Sequence, residues 1–164
     1  MGISARIAVV AVAAAVAGAA LLSSETISAA MMGKEAIKAR QDAMKSMGGA
    51  MKAISAFVKD GKGTTAIVAD KAAVIASTAK QLPGLFPKGS GRGDFSDKET
   101  RAEPKIWTDW AGFEKHADTL VVEAGKLAEV AKGGDKAQIA AQFGKVGKEA
   151  CGGCHKTFRG EKVK

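Results

Sequence analysis

The chain has 164 residues with a formal net charge of +8, and it is 46% hydrophobic but only 5% aromatic. That length suits one domain. The positive surplus is spread along the chain, there is no tyrosine and no RNA- or DNA-binding signature, which argues against a nucleic-acid partner; a diffuse positive field suits solubility or the steering of an acidic partner.

Residues 1–30 read as a secretory signal peptide. Met1–Arg6 carries one positive charge, residues 7–22 form an uncharged apolar run of 16, and a polar segment ends in Ser-Ala-Ala at 28–30. A retained membrane anchor is the alternative, but a span needs about 20 apolar residues, and half of these 16 are alanine. We expect a cut after Ala30, with Ala19 and Ser24 as other candidate ends. The mature chain would be residues 31–164, exported and without a membrane anchor. Arg6 and Glu25 leave together, so the charge stays at +8.

The mature chain reads as helices throughout. The first runs from about Lys34 to Lys59, with Ile37, Met44, Met47, Met51, Ile54 and Val58 in steps of three, four and seven. Two glycines in residues 60–65 stop it. The second runs from about Thr65 to Leu82 on a stripe of Val68, Ala72, Ile75, Ala79 and Leu82, with Lys71 to one side. Residues 82–104 are a long Pro/Gly/Ser-rich connection that holds all three prolines. A loop of this length usually has a function or crosses over something.

The third helix is expected to start near Pro104, a residue suited to a first helical turn. Trp107, Trp110, Phe113, Ala117, Leu120, Ala124, Leu127 and Ala131 give it one face. Gly133 and Gly134 close it, and Asp135 supplies the next N-cap. The fourth runs from about Lys136 to Arg159 with Ile139, Phe143, Val146, Ala150, Cys151, Cys154 and Phe158 as its stripe. Four amphipathic helices, two short links and one long crossover predict an all-α fold, an antiparallel four-helix bundle. Its Ala- and Gly-rich core is thin, as if part of the interior were filled by something other than protein.

Cys151-Gly-Gly-Cys154-His155 is the C-x-x-C-H signal of covalent haem attachment. Two thiols three residues apart can each bond one haem vinyl group, and the next imidazole can ligate the iron. On a helix, positions i, i+3 and i+4 share a face, so all three are expected to point into the bundle. Three other readings compete. A disulfide across so short a loop would constrain little. A dithiol redox pair calls for a βαβ context, and none is visible. Zinc needs four ligands, and only His116 remains to add.

At these residues the chain resembles the class II c-type cytochromes, the cytochrome c′ and low-spin cytochrome c-556 group. The resemblance spans about residues 34–160 and is carried by "ARQDAMKSMGGAM" (39–51), "LPGLFPKGS" (82–90), "PKIWTDWAGF" (104–113) and "AAQFGKVGKEACGGCHKTFR" (140–159). It implies a periplasmic four-helix bundle around one covalent haem c, often paired as a homodimer. It implies that the residue four after the first-helix arginine decides the chemistry. In cytochrome c′ that residue is apolar, and the five-coordinate iron binds NO or CO. In the low-spin branch it is methionine and closes the iron. Here the arginine is Arg40, and Met44 stands four residues on, which makes Met44 the expected sixth ligand and Met47 the reserve. The plain alternative for Met44 is core packing, the usual use of a methionine stripe, and Met47 and Met51 on the same face are expected to be core.

The resemblance also places Arg40 near a haem propionate and Arg159 beside the proximal imidazole. Their plain alternatives are a solvated helix charge and a C-terminal charge that suits the dipole. Leu85 and Phe86 are expected to cover the haem. His116 sits beside its helix's apolar stripe and is expected to be exposed or capped. The function implied is one-electron transfer with His155 and Met44 as axial ligands, docking to acidic redox partner proteins, and no enzymatic turnover. The alternatives are a five-coordinate cytochrome c′ that binds NO or CO, and a haem-free structural or metal-binding bundle.

Overall fold

The computed structural model describes the backbone from Gly18 to Val163 and the side chains from Met32 onward. Helix α1 (Gly18–Asp60) is followed by α2 (Thr65–Gln81). The crossover contains one 3-10 turn (Pro83–Leu85) and leads to a one-turn helix α3 (Lys105–Thr108) and then α4 (Trp110–Gly133). A last arm combines α5 (Lys136–Lys145), a π-wound stretch (Val146–Gly152) and α6 (Gly153–Phe158). α1, α2, α4 and this arm make the antiparallel four-helix bundle that the sequence predicts. α2 packs chiefly on α4 and α1, and the last arm closes against α4 and α1.

The first 17 residues of the expected signal segment lie outside the described residues. Residues 18–30 are the start of α1, which begins earlier than the apolar pattern suggests because no proline interrupts it. Among the described residues no helix is long and apolar enough to cross a membrane.

Local chemistry sets the joints. Gly61 (φ 65°) and Gly63 (φ 94°) take left-handed conformations that end α1. Thr64 then accepts the Ile67 N–H at 3.2 Å and starts α2. Asp135 accepts the N–H groups of Ala137 and Gln138 at 2.8 and 3.1 Å and starts α5, as expected.

The α2 stripe is buried as predicted, from Val68 through Leu82, with Lys71 exposed. On α1 the expected Ile37, Met47 and Ile54 are buried, while Met44, Met51 and Val58 are half-buried. Phe57 and Ala50 join that core unforeseen.

Two predicted helices differ in detail. The third does not run on from Pro104. It breaks at Asp109 (φ −130°, ψ 57°), whose carboxylate accepts the Gly112 N–H at 3.2 Å and starts α4 afresh. Short polar side chains compete for backbone donors in this way. The fourth is not a uniform α-helix. Val146, Ala150, Cys154 and Phe158 recur strictly every four residues. Four residues of α-helix advance about 400° at roughly 100° each, so that stripe would drift about 40° per step. The wider π turns absorb the drift and keep Val146, Ala150 and Phe158 buried. π segments often mark functional positions, and this one contains Cys151.

The crossover is held by side chains. Trp107 Nε1 donates to the Phe86 carbonyl at 2.9 Å, and its ring lies where a Cβ on Gly91 would fall. Gly91→Ala should therefore displace Trp107 and lower stability by about 1–3 kcal/mol, the usual cost of overpacking; chemical denaturation of the variant measures it.

Candidate haem site

Cys151 sits in the π-wound stretch, and Cys154 and His155 sit in α6. The change of winding leaves all three half-buried, while Gly152 and Lys156 are exposed. Both thiols are free and pack against the bundle core. Burial pushes both thiols up, Cys154 to about 11, with Cys151 adding to that shift and Arg159 opposing it. They are therefore S–H groups at neutral pH. Burial pushes His155 down, helped by the nearby charges of Arg159 and Arg101, so its imidazole is neutral and has a lone pair to give.

α1 faces this arm in antiparallel register. Lys136 Nζ lies 5.9 Å from the Phe57 ring centroid, and Met51 Cε lies 3.7 Å from the point where a Gly147 Cβ would sit. Moving back seven residues along α1 covers roughly 10 Å at about 1.5 Å per residue. The same shift along the last arm reaches Cys154. Extrapolated in that register, Met44 would fall near the level of Cys154 and His155; it is half-buried and packed against the core. Met47 is more enclosed, 7% exposed.

Arg40 is 4% exposed. Its guanidinium donates to Ser90 Oγ at 2.8 Å, to the Ser90 carbonyl, and to Thr100 Oγ1 at 2.7 Å. It also lies 4.9 Å from the Phe86 ring centroid. Burial lowers its pKa to about 10, so it remains a cation, yet every partner is neutral. A buried charge normally has an opposite charge beside it, and the hydrogen-bond partners of this one supply none.

Arg159 is exposed and extended just past α6, and its N–H donates to the His155 carbonyl at 3.3 Å. Residues 158–160 pair with 101–103. The Glu103 N–H donates to the Phe158 carbonyl at 3.1 Å, and the Gly160 N–H donates to the Arg101 carbonyl at 2.8 Å. This pairing is what brings Arg101 toward His155. Phe86 is buried edge-on against Phe113, ring centroids 4.8 Å apart, and Phe113 meets Phe158 at 5.6 Å. Leu85 is half-buried. His116 is half-buried rather than exposed, and lies against Phe158 and Gly153.

Sequence reasoning missed Ser90, Thr100 and Arg101. They are ordinary loop residues with no period, and nothing local marks them. Among the described residues no group of three or more His, Cys, Asp or Glu side chains could hold a metal ion. The donor set and the unneutralised Arg40 suit a flat, anionic, iron-bearing group with two reactive vinyls.

The family model described as Cytochrome C' matches residues 35–159. A cytochrome c′ of Rhodopseudomonas palustris is 37% identical over 131 residues, covering 78% of this chain and 84% of the relative. A cytochrome c-556 of the same organism is 37% identical over 153 residues, covering 88% and 93%. A solved cytochrome c′ with ligand-controlled dimer dissociation superposes with a TM-score of 0.70 at 32% identity, covering 79% of this chain and 97% of that one. The chain belongs to the cytochrome c′ family of class II c-type cytochromes and carries that family's single covalent haem c.

Proposed function

We propose that this protein is a periplasmic one-electron carrier. Its haem iron would be held by His155 and Met44, with thioethers from Cys151 and Cys154. What supports the reading is the register of α1 against the last arm, in which the Met51–Gly147 approach extrapolates seven residues on to Met44 and Cys154. When bound there, the haem supplies a one-electron iron couple. His155 offers a neutral imidazole, and Met44 offers a thioether, a ligand that favours the ferrous state. Arg40, a buried cation with only neutral partners, would face a propionate. Arg159 would bias the potential through its charge beside His155. No turnover of a substrate is proposed. Export rests on the signal-like residues 1–30, and the spread of lysines suits docking to acidic redox partners. A homodimer is proposed on the likeness to a cytochrome c′ whose dimer dissociates under ligand control.

The second reading is a five-coordinate cytochrome c′ that binds NO or CO. It is favoured by the relatives themselves, because cytochromes c′ stand beside the c-556 proteins and the superposed structure is a cytochrome c′. On that ground the likeness supports it better than it supports six-coordination; Met44 is what speaks against it. The visible spectrum of the ferrous protein with and without CO decides. Sharp, split α and β bands unmoved by CO are expected. A broad high-spin spectrum that shifts with CO would overturn Met44 ligation and establish the second reading.

A further inference from the structure

His116 has no part in the reading above, yet it touches the attachment motif. It stands on α4, half-buried. Its ring meets Phe158 edge-to-face, centroids 5.8 Å apart at 77°. Its Cε1 and Nδ1 lie 3.2 and 3.5 Å from the point where a Cβ on Gly153 would sit. Gly153 is one of the two residues between the cysteines. Its backbone (φ −60°, ψ −49°) is ordinary right-handed helix, which any residue adopts. The backbone does not require glycine there. The space favours it, because a Cβ there would stand 3.2 Å from His116 Cε1 and the ring would have to give by a few tenths of an ångström.

We propose that His116 is a positioning residue for the haem-attachment turn. Its ring, seated on Gly153 and braced by Phe158, fixes the junction at which π winding gives way to α winding. Cys151 lies just before that junction, and Cys154 and His155 lie just after it. Each thiol adds its S–H across one vinyl double bond, the sulfur bonding to one carbon and the hydrogen to the other, with no oxidant or reductant. Both thiols must stand at the right separation and tilt for both additions. A shift of the junction is therefore read first as loss of one thioether, and second as a turned His155 imidazole.

The inference rests on Cys151, Cys154 and His155 being the haem anchors. Its test compares wild type, Gly153→Ala, His116→Ala, His116→Phe and the Gly153→Ala/His116→Ala pair as purified holoprotein. Covalent attachment is read from the intact mass after mild acid extraction of unbound haem, and the thioether count from the α band of the alkaline pyridine complex, which moves to longer wavelength for each vinyl left unsaturated. The reduction potential is measured alongside. Gly153→Ala forces a methyl against the ring and should lower the doubly attached fraction about fivefold or more, as overpacking of a fitted site does. His116→Ala should lower it less, and His116→Phe, which keeps a flat ring, should hold it. The pair removes the clash but still lacks the ring, so it should recover from Gly153→Ala to the level of His116→Ala in both count and potential. Should Gly153→Ala fail to accumulate, recovery of holoprotein in the pair carries the same comparison. Wild type with two thioethers and an unchanged Gly153→Ala, or a pair no better than Gly153→Ala alone, overturns the proposal. Wild type without covalent haem overturns the attachment reading and the proposal with it.

Discussion

Met44→Ala is expected to turn a six-coordinate, CO-insensitive ferrous protein into a high-spin one that binds CO at once. Met44 is the methionine whose register on α1 extrapolates to Cys154 and His155, and alanine leaves a hole where it stood. Met47 is three residues further along α1 and enclosed in the core at 7% exposure, so it is not free to swing in. The potential should fall, because a ligand that favours ferrous iron is gone. The folding cost should be small for a methionine, about 1–2 kcal/mol, since Met44 is half-buried and a fully buried Met→Ala costs roughly 2–5 kcal/mol. Met47→Ala supplies the contrast, with the larger stability loss and an unchanged spectrum. Visible spectra with CO and thermal unfolding of both variants separate ligand from packing. A Met44→Ala protein that stays low-spin, with Met47→Ala turned high-spin, would move the ligand to Met47.

Helix α2 and the attachment motif were legible because their information is local. Val68, Ala72, Ile75, Ala79 and Leu82 repeat at helical steps, and the bundle buries them all. The motif is five consecutive residues. The break at Asp109 was hidden because good helix formers flank it, and whether a carboxylate caps or solvates depends on the chain's direction beyond it. The π-wound stretch left one trace, the run of equal steps of four from Val146 to Phe158. In an unbroken α-helix that run would drift about 40° per step, which the wider turns remove. The partners of Arg40 lie 50 and 60 residues away in a crossover without periodicity. A sequence shows that arginine as a helix charge, and only the folded crossover shows it buried. The contact of His116 with Gly153 is of the same kind, since α4 and α6 meet only after folding.

Arg40→Met should be the most damaging single change to the crossover. The guanidinium bonds Ser90 twice and Thr100 once, and it joins α1 to residues 90 and 100 together. Methionine fills similar space but leaves the Ser90 carbonyl without this donor in a buried setting. Ser90 Oγ still donates to the Pro87 carbonyl at 2.7 Å, and Thr100 Oγ1 still accepts the Ala102 N–H at 3.1 Å. The loss should therefore be about 2–4 kcal/mol, as for a buried charged donor removed from its acceptors. Thr100→Val removes one of the three bonds and should cost roughly 1 kcal/mol. The two variants also divide the roles of Arg40. An arginine that serves the crossover alone changes stability in both variants and leaves the holoprotein's potential where it was. An arginine that also faces a propionate neutralises an anion beside the iron. Its removal then lowers the potential, because the oxidised iron, one charge more positive, is relatively favoured, while Thr100→Val leaves it unmoved. The second outcome is expected, since Arg40 keeps its charge at neutral pH and no carboxylate among the described residues is bonded to it. Arg40→Lys should fall between, holding the charge but lacking the planar fork that reaches Ser90 and Thr100 together.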